Sequence, residues 1–393
     1  MKLTLRQQLT QFAHILQTQL FPVVEEATGE LDSTARRLVA TLAMIPLARF
    51  VPASRGWIGR PSKDRYAVAC AFVAKAVYGF SLTRQLLERL RQDEQLRRIC
   101  GWNHVRQVPH ESTFSRAFAQ FAEMEFPQFV HEALIANTQK DRLIGHIARD
   151  STAIEARERF PETTPKALAA KPTPSAPRKR GRKKGQRGPH KRHRGGKPKC
   201  KPNPNTRIHR QRGMPLQPML AELPRHCSLG VKTSHDGNQQ YWRGYKLHLD
   251  VADGQIPISG ILTAASLHDS QVAIPLATMT AQRVTSLYDV MDAAYDATEI
   301  KEHSRELGHV PIIRPVKRGR KEIPFQGVQP SREFTWAEAD RFKERTMVER
   351  VYARLKDEFG GRQIRVRGAH KIMAHLMFGV LALTADQILK LGT

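Results

Sequence analysis

RTMVERVYARLK, residues 345–356, decides the reading of this chain. A helix turns by about 100° per residue, so with Phe342 at zero Arg345 falls near ~300°, Glu349 near ~340° and Lys356 near ~320°. The four residues share a stripe about 60° wide. The apolar positions Val348, Val351, Tyr352, Leu355 and Phe359 centre about 90° away, where a core would lie. An acid between two cations at the edge of a buried face has two readings. One is a ladder of surface ion pairs worth about 0.2–0.5 kcal/mol each. The other is a polar site, and the rest of the chain must choose between them.

Charge is the first discriminator. The chain has 393 residues, 64 Lys and Arg against 37 Asp and Glu, and a formal net charge of +27. That excess points to a polyanionic partner, nucleic acid before an anionic membrane. Four scattered cysteines suit a reducing cytoplasm. Neither a CxxC nor an HxxxH spacing supports zinc near Cys200 and Cys227. MKLTLRQQLTQFAHILQTQL is too polar for a secretory segment. AVACAFVAKAVYGF and MAHLMFGVLALTA fall short of the ~18 apolar residues of a membrane span and are interrupted by Lys75 and His375. The expectation is a soluble, cytoplasmic protein without a membrane partner.

Residues 1–135 read as an all-helical N-terminal region, either a bundle with solvated basic faces or a DNA-binding domain, with start signals at PSKD (61–64) and PHEST (109–113). Residues 140–165 hold a first strand, RLIGHIARDSTAI. Residues 166–227 read as a basic low-complexity insertion. Between Lys166 and Arg212 lie eighteen Lys and Arg and no acid. Arg178, Lys179, Arg180, Arg182, Lys183 and Lys184 form its densest run and are expected to contact DNA phosphates. Such a segment cannot bury enough apolar surface to offset its ordering entropy, so it is expected to be disordered when free.

Residues 228–393 read as the remainder of an α/β domain: strands QQYWRGYKLHLDV and IPISGILTAA joined by the turn ADGQ, a helix opened by a capping Asp269 or Ser270, a strand SLYDVMDAAYD, a helix, a strand HVPIIRPVK, one long helix over 335–359, and a last helix over 369–391. This order implies a mixed sheet flanked by helices. Asp150 sits near the end of the first strand and Asp292 at the end of the fourth. If those strands are neighbours, two carboxylates meet, and like charges in one site call for cations. Hard divalent ions prefer oxygen ligands. Asp150, Asp292 and Glu349 would hold two of them about 3.5–4 Å apart, an arrangement that cleaves phosphodiesters. Arg345 and Lys356 would then hold the DNA backbone. Asp289 is out of phase with this site, and Asp296 reads as a helix cap.

At these residues the chain resembles bacterial insertion-sequence DDE transposases, which have an RNase H-like fold. Their signature Tyr-x2-Arg-x3-Glu-x6-Lys is matched by Arg345, Glu349 and Lys356, with Phe342 in the tyrosine position. ARDSTAI resembles the family's first-aspartate motif and DAAYDA its second, with alanine where glycine is common. WRGYKLHLDVADGQIPISGILTAASLHDSQ reads like the family's central strands, and GRPSKDRYAVACAF with PHESTFSRAF resembles its helical N-terminal domain. The resemblance implies Mg²⁺ (or Mn²⁺) as a pair of divalent cofactors, with Asp150, Asp292 and Glu349 as catalytic and metal-binding residues. It implies DNA contacts by Arg345, Lys356 and the Phe342 position. Terminal inverted repeats and target DNA would be the partners, and two copies would act together as a homodimer. Phenylalanine removes the tyrosine hydroxyl. The 57-residue spacing from Asp292 to Glu349 leaves no room for a large β-rich insertion, and no aromatic wedge is found beside Asp292. The rival readings are a non-catalytic DNA-binding derivative and a metal-dependent nuclease without strand transfer.

Overall fold

The computed structural model describes residues 4–51, 64–159, 206–233, 237–315 and 334–392. Arg178, Lys179, Arg180, Arg182, Lys183 and Lys184, expected to touch DNA, lie outside the described residues.

The N-terminal part is helical: α1 (Leu5–Ile15), α2 (Phe21–Thr28), α3 (Ser33–Met44), α4 (Arg65–Val77), α5 (Thr83–Gln92), α6 (Glu94–Ile99), α7 (Glu111–Glu123) and α8 (Phe126–Gln139). Each of the two long periodic segments divides in two. The first turns at Gly79, whose φ of 66° suits a residue without a Cβ. The second turns at Glu125, with a φ of 50°. Asp64 caps α4 through its side chain, accepting from the N–H groups of Tyr66 and Ala67.

Then follow β1 (Leu143–Glu155), α9 (Arg207–Gln211), α10 (Leu216–Ala221), β2 (Ser228–Thr233), β3 (Gln239–Ala252), β4 (Ile256–Ala264), α11 (Ser270–Ala281), β5 (Thr285–Met291), α12 (Thr298–Glu306), β6 (Val310–Ile313), α13 (Trp336–Lys343), α14 (Met347–Asp357) and α15 (Ala369–Gly392). Helices α9 and α10 lie within the range read as insertion. Strand β2 was not foreseen: SLGVKT is short, and it forms because the first half of β3 supplies its partner, Ser228 opposite Gly244 through Thr233 opposite Gln239.

The six strands make one mixed sheet in the order β2-β3-β1-β5-β6, with β4 also on β3. Strand β1 is antiparallel to β3 and parallel to β5, and β5 is parallel to β6. Helix α14 packs on one face, against β1 and β3, and α11 on the other, against β3 and β4. This is the expected α/β architecture, an RNase H-like fold with helices on both faces.

The helix expected over 335–359 is interrupted. Residues Glu344–Thr346 form a 3-10 turn between α13 and α14. Its tighter winding, about 120° per residue, turns α14 by about 60° relative to α13, and Phe342 stays beside Arg345, whose guanidinium lies 6.0 Å from its ring centre. The Phe342 ring lies 5.2 Å from that of Phe334, tilted by 34°.

Helix α15 joins the two parts. Its apolar side belongs to a single core cluster that includes α4, α7, α8, α14 and the sheet. It is long and apolar enough to cross a membrane, yet 78% of its most apolar window is buried inside the protein. At Gly379 a Cβ would come within 2.8 Å of the Phe359 carbonyl, so only glycine lets α15 approach α14 this closely. Arg37 bonds Asp386 at 2.7 Å and Glu358 at 2.9 Å, and Arg354 bonds both acids from α14, tying α3, α14 and α15 together.

Candidate active site

Two acids meet on the sheet. Arg149 pairs with Met291 across β1 and β5, so Asp150 and Asp292 follow on adjacent strands. Asp150 is not at the end of β1, which runs on to Glu155 along β3. The edge of the site is made by β5 stopping at Met291. Alternation turns Asp150 to the α14 face and Arg149 to the α11 face. There Arg149 forms a buried bidentate pair with Asp250, both bonds 2.7 Å, and Thr280 donates to the same acid at 2.7 Å.

Both site acids are half-buried. Asp150 accepts from the Ser151 N–H at 2.7 Å. Asp292 accepts from the Ala294 N–H at 2.9 Å and opens a short 3-10 turn. Burial pushes the Asp150 carboxyl up to about 7, and the charges of Asp292 and Asp269 add to the rise while Arg345 opposes it. Burial also raises Asp292, again helped by Asp269 and opposed by Arg345. Two carboxylates that resist ionising side by side are an oxygen-donor pair short of positive charge.

The third acid arrives from α14, and Tyr352 fixes the helix in place. Its hydroxyl lies 2.7 Å from the Asp150 carbonyl and 3.1 Å from that of Leu247, and accepts from the Leu249 N–H at 3.0 Å. Glu349 is one turn earlier on this helix. Its carboxylate is exposed and accepts from Arg345 Nη1 at 3.1 Å. Arg345 therefore serves all three acids, through a direct bond to Glu349 and through its charge on Asp150 and Asp292. Among the described residues, no three Asp, Glu, His or Cys side chains gather closely enough to hold an ion. The aspartates are brought together, and Glu349 is turned to the arginine they share. Lys356, two turns beyond Glu349, donates to Thr152 Oγ1 at 2.7 Å. Phe342 is half-buried at the far side of the 3-10 turn, with the Arg345 guanidinium 6.0 Å from its ring centre.

Asp289 is not part of the site. It is buried and accepts from Ser304 Oγ at 2.6 Å and His309 Nδ1 at 3.2 Å. Asp296 does not cap α12, where the capping position is Ala297, and instead pairs with Lys301 at 2.5 Å. Asp269 holds the capping position of α11 without making a side-chain cap. Its carboxylate accepts from Lys246 Nζ at 2.9 Å. Burial works against its charge, but His248, Lys246 and a bond from Ser151 outweigh this and hold it below the usual range. Asp269, Lys246 and Tyr352 are the site residues that the sequence reading missed. Asp269 had a signal: β4 runs parallel to β1 because both are antiparallel to β3, so an acid just past β4 belongs at the same end of the sheet.

Residues 218–385 match the family described as Transposase DDE domain, and residues 29–120 match that described as Transposase domain (DUF772). The chain belongs to the insertion-sequence DDE transposases. Asp292, Arg345, Glu349 and Lys356 fall within the DDE match, and Asp150 precedes it. No curated protein and no solved structure matches the chain. For a transposase, the half-buried aspartate pair at the end of β5 and the Arg–Glu–Lys face of α14 form the candidate active site.

Proposed function

We propose that this transposase cleaves phosphodiester bonds at the ends of its mobile element and joins the freed 3′-hydroxyl to target DNA. The observation that carries this reading is the placement of Asp150 beside Asp292, with Arg345 shared between that pair and Glu349. The donor set fits hard divalent ions: all oxygen, with the aspartate pair half-buried and short of positive charge. Asp150, Asp292 and Glu349 would hold two Mg²⁺, with Mn²⁺ as a substitute. Bound there, such ions activate the attacking water or hydroxyl and stabilise the leaving oxygen.

The chain's own residues orient the reactants. Tyr352 sets the depth of α14 against Asp150. Arg345 and Lys356 hold backbone phosphates on either side of Glu349, and a phosphate that draws Arg345 away releases Glu349. The helical region before β1 recognises the terminal inverted repeats. Two copies pair the two ends, and the protein works on DNA in the cytoplasm.

The test is Glu349→Gln in a strand-transfer assay with Mg²⁺ and end-containing DNA. Joining is expected to be lost with DNA binding intact, and unchanged joining overturns the assignment. Cut products that are never joined would indicate a nuclease instead.

A further inference from the structure

Between α14 and α15 the chain runs through Gly360–Gly368 without a helix or strand. Ile364 is 5% exposed and packs into the main core, with Val366 against the same cluster. The residues alternating with them, Arg362, Gln363, Arg365 and Arg367, are exposed, as are His370 and Lys371 at the start of α15. The segment is tied at both ends: the Gly361 N–H donates to the Leu355 carbonyl at 2.9 Å, and the Gly368 N–H to Glu158 Oε1 at 2.6 Å.

On α5 and α6 several cations are matched by acids one turn away, as in Arg84–Glu88, Arg89–Asp93 and Arg98–Glu94. Most of the cations in this strip are not. From Phe359 to Ala385 the sequence has no Asp or Glu. Among the described residues, Arg362 bonds Asp357 at 3.0 Å, while Arg365, Arg367 and Lys371 form no ion pair. Lys356 stands at the head of this strip. Burial lowers its pKa, and the charges of Arg362 and of the exposed Lys232 on β2 lower it further. Glu155 and Asp357 only partly offset this, and like charges that outnumber the acids beside them repel one another unless a polyanion covers them.

We propose that Arg362, Arg365, Arg367 and Lys371 form a track for the phosphodiester backbone of duplex DNA, continuing from Lys356 away from the carboxylates. This rests on the reading that the protein acts on DNA. Gly368 is anchored to Glu158, three residues past the end of β1. The five residue steps from Asp150 to Glu155 span about 17 Å. At 3.4 Å per nucleotide, that places the track about five or more nucleotides from the bond at the carboxylates. The backbone alone is recognised, so contact is independent of sequence.

The experiment measures binding of the full chain to a short random-sequence DNA duplex over a range of salt, in EDTA. Arg365→Gln with Arg367→Gln is expected to weaken binding several-fold and to flatten the log–log salt slope by about two, at about 0.9 per phosphate contact. Arg365→Lys with Arg367→Lys is expected to keep the slope. A photo-crosslinking residue at Gln363 is expected to capture the duplex. An unchanged slope, weaker binding at an unchanged slope, or no crosslink overturns the track. Without metal, none of these readouts depends on catalysis. If Glu349→Gln leaves joining intact, the catalytic reading falls while the track's result stands.

Discussion

Asp150 and Asp292 are held by a sheet, whereas Glu349 is held by a helix, and the two supports fix their acids to different degrees. The aspartates follow directly on paired residues of β1 and β5, so the ladder sets their spacing. Each is anchored by a backbone N–H within one or two residues. Glu349 rides on α14, whose depth against β1 depends on the Tyr352 hydroxyl, and among the described residues its exposed carboxylate is bound through Arg345. On the proposed two-metal reading, a site built this way has two fixed acids and one that substrate can recruit.

The largest expected effect tests whether the fixed pair carries the chemistry. If Asp150 and Asp292 hold metal as proposed, Asp150→Asn or Asp292→Asn removes a ligand worth several kcal/mol of charge stabilisation. At about 1.4 kcal/mol per tenfold, cleavage of end-containing DNA should fall on the order of 10³-fold. The same substitution should stabilise the metal-free fold. With its carboxyl raised from 3.8 to about 7, folded Asp150 holds its proton more tightly than the unfolded chain does. Its stabilising contribution is therefore complete below the unfolded value and lost as pH rises through the folded one. Thermal unfolding in EDTA should show Asp150→Asn to be more stable than the parent by about 2–4 kcal/mol at pH 8, with little difference near pH 4.

Tyr352→Phe breaks the link between the two supports. The buried Leu249 N–H loses its acceptor, which should cost about 1–3 kcal/mol of stability by denaturant titration and slow joining more than it weakens DNA binding. Lys356→Met should leave stability nearly unchanged, lower DNA affinity several-fold and reduce the salt slope by about 0.9. The smallest effect sharpens the helix side. Phe342→Tyr restores the hydroxyl at the family's tyrosine position, and a gain in DNA affinity of about threefold, or ~0.6 kcal/mol, is expected from one added hydrogen bond.

Much of this site was legible before any coordinates. Arg345, Glu349 and Lys356 announce themselves by helical spacing, and Asp150 and Asp292 by strands that end in acids. Other features had no local signal. The 3-10 turn at Glu344–Thr346 has neither proline nor glycine to mark it. Strand β2 is six residues whose only justification is a partner that begins six residues later. Asp269 looked like a cap, because Asp before a helix usually is one. Its diversion to Lys246 needs β3 and β4 placed side by side. The same holds for α15, whose apolar length reads alike for a membrane span and a core helix until the packing around it is known.

The sequence by itself determined the charge balance, the periodicities, the element order and the acids, because each is a property of one residue or of a few neighbours along the chain. Tertiary structure decided which acids meet, which cation they share and that α15 binds the helical region to the sheet. Those outcomes depend on groups far apart in sequence, whose burial and Coulomb interactions exist only once the chain has closed on itself.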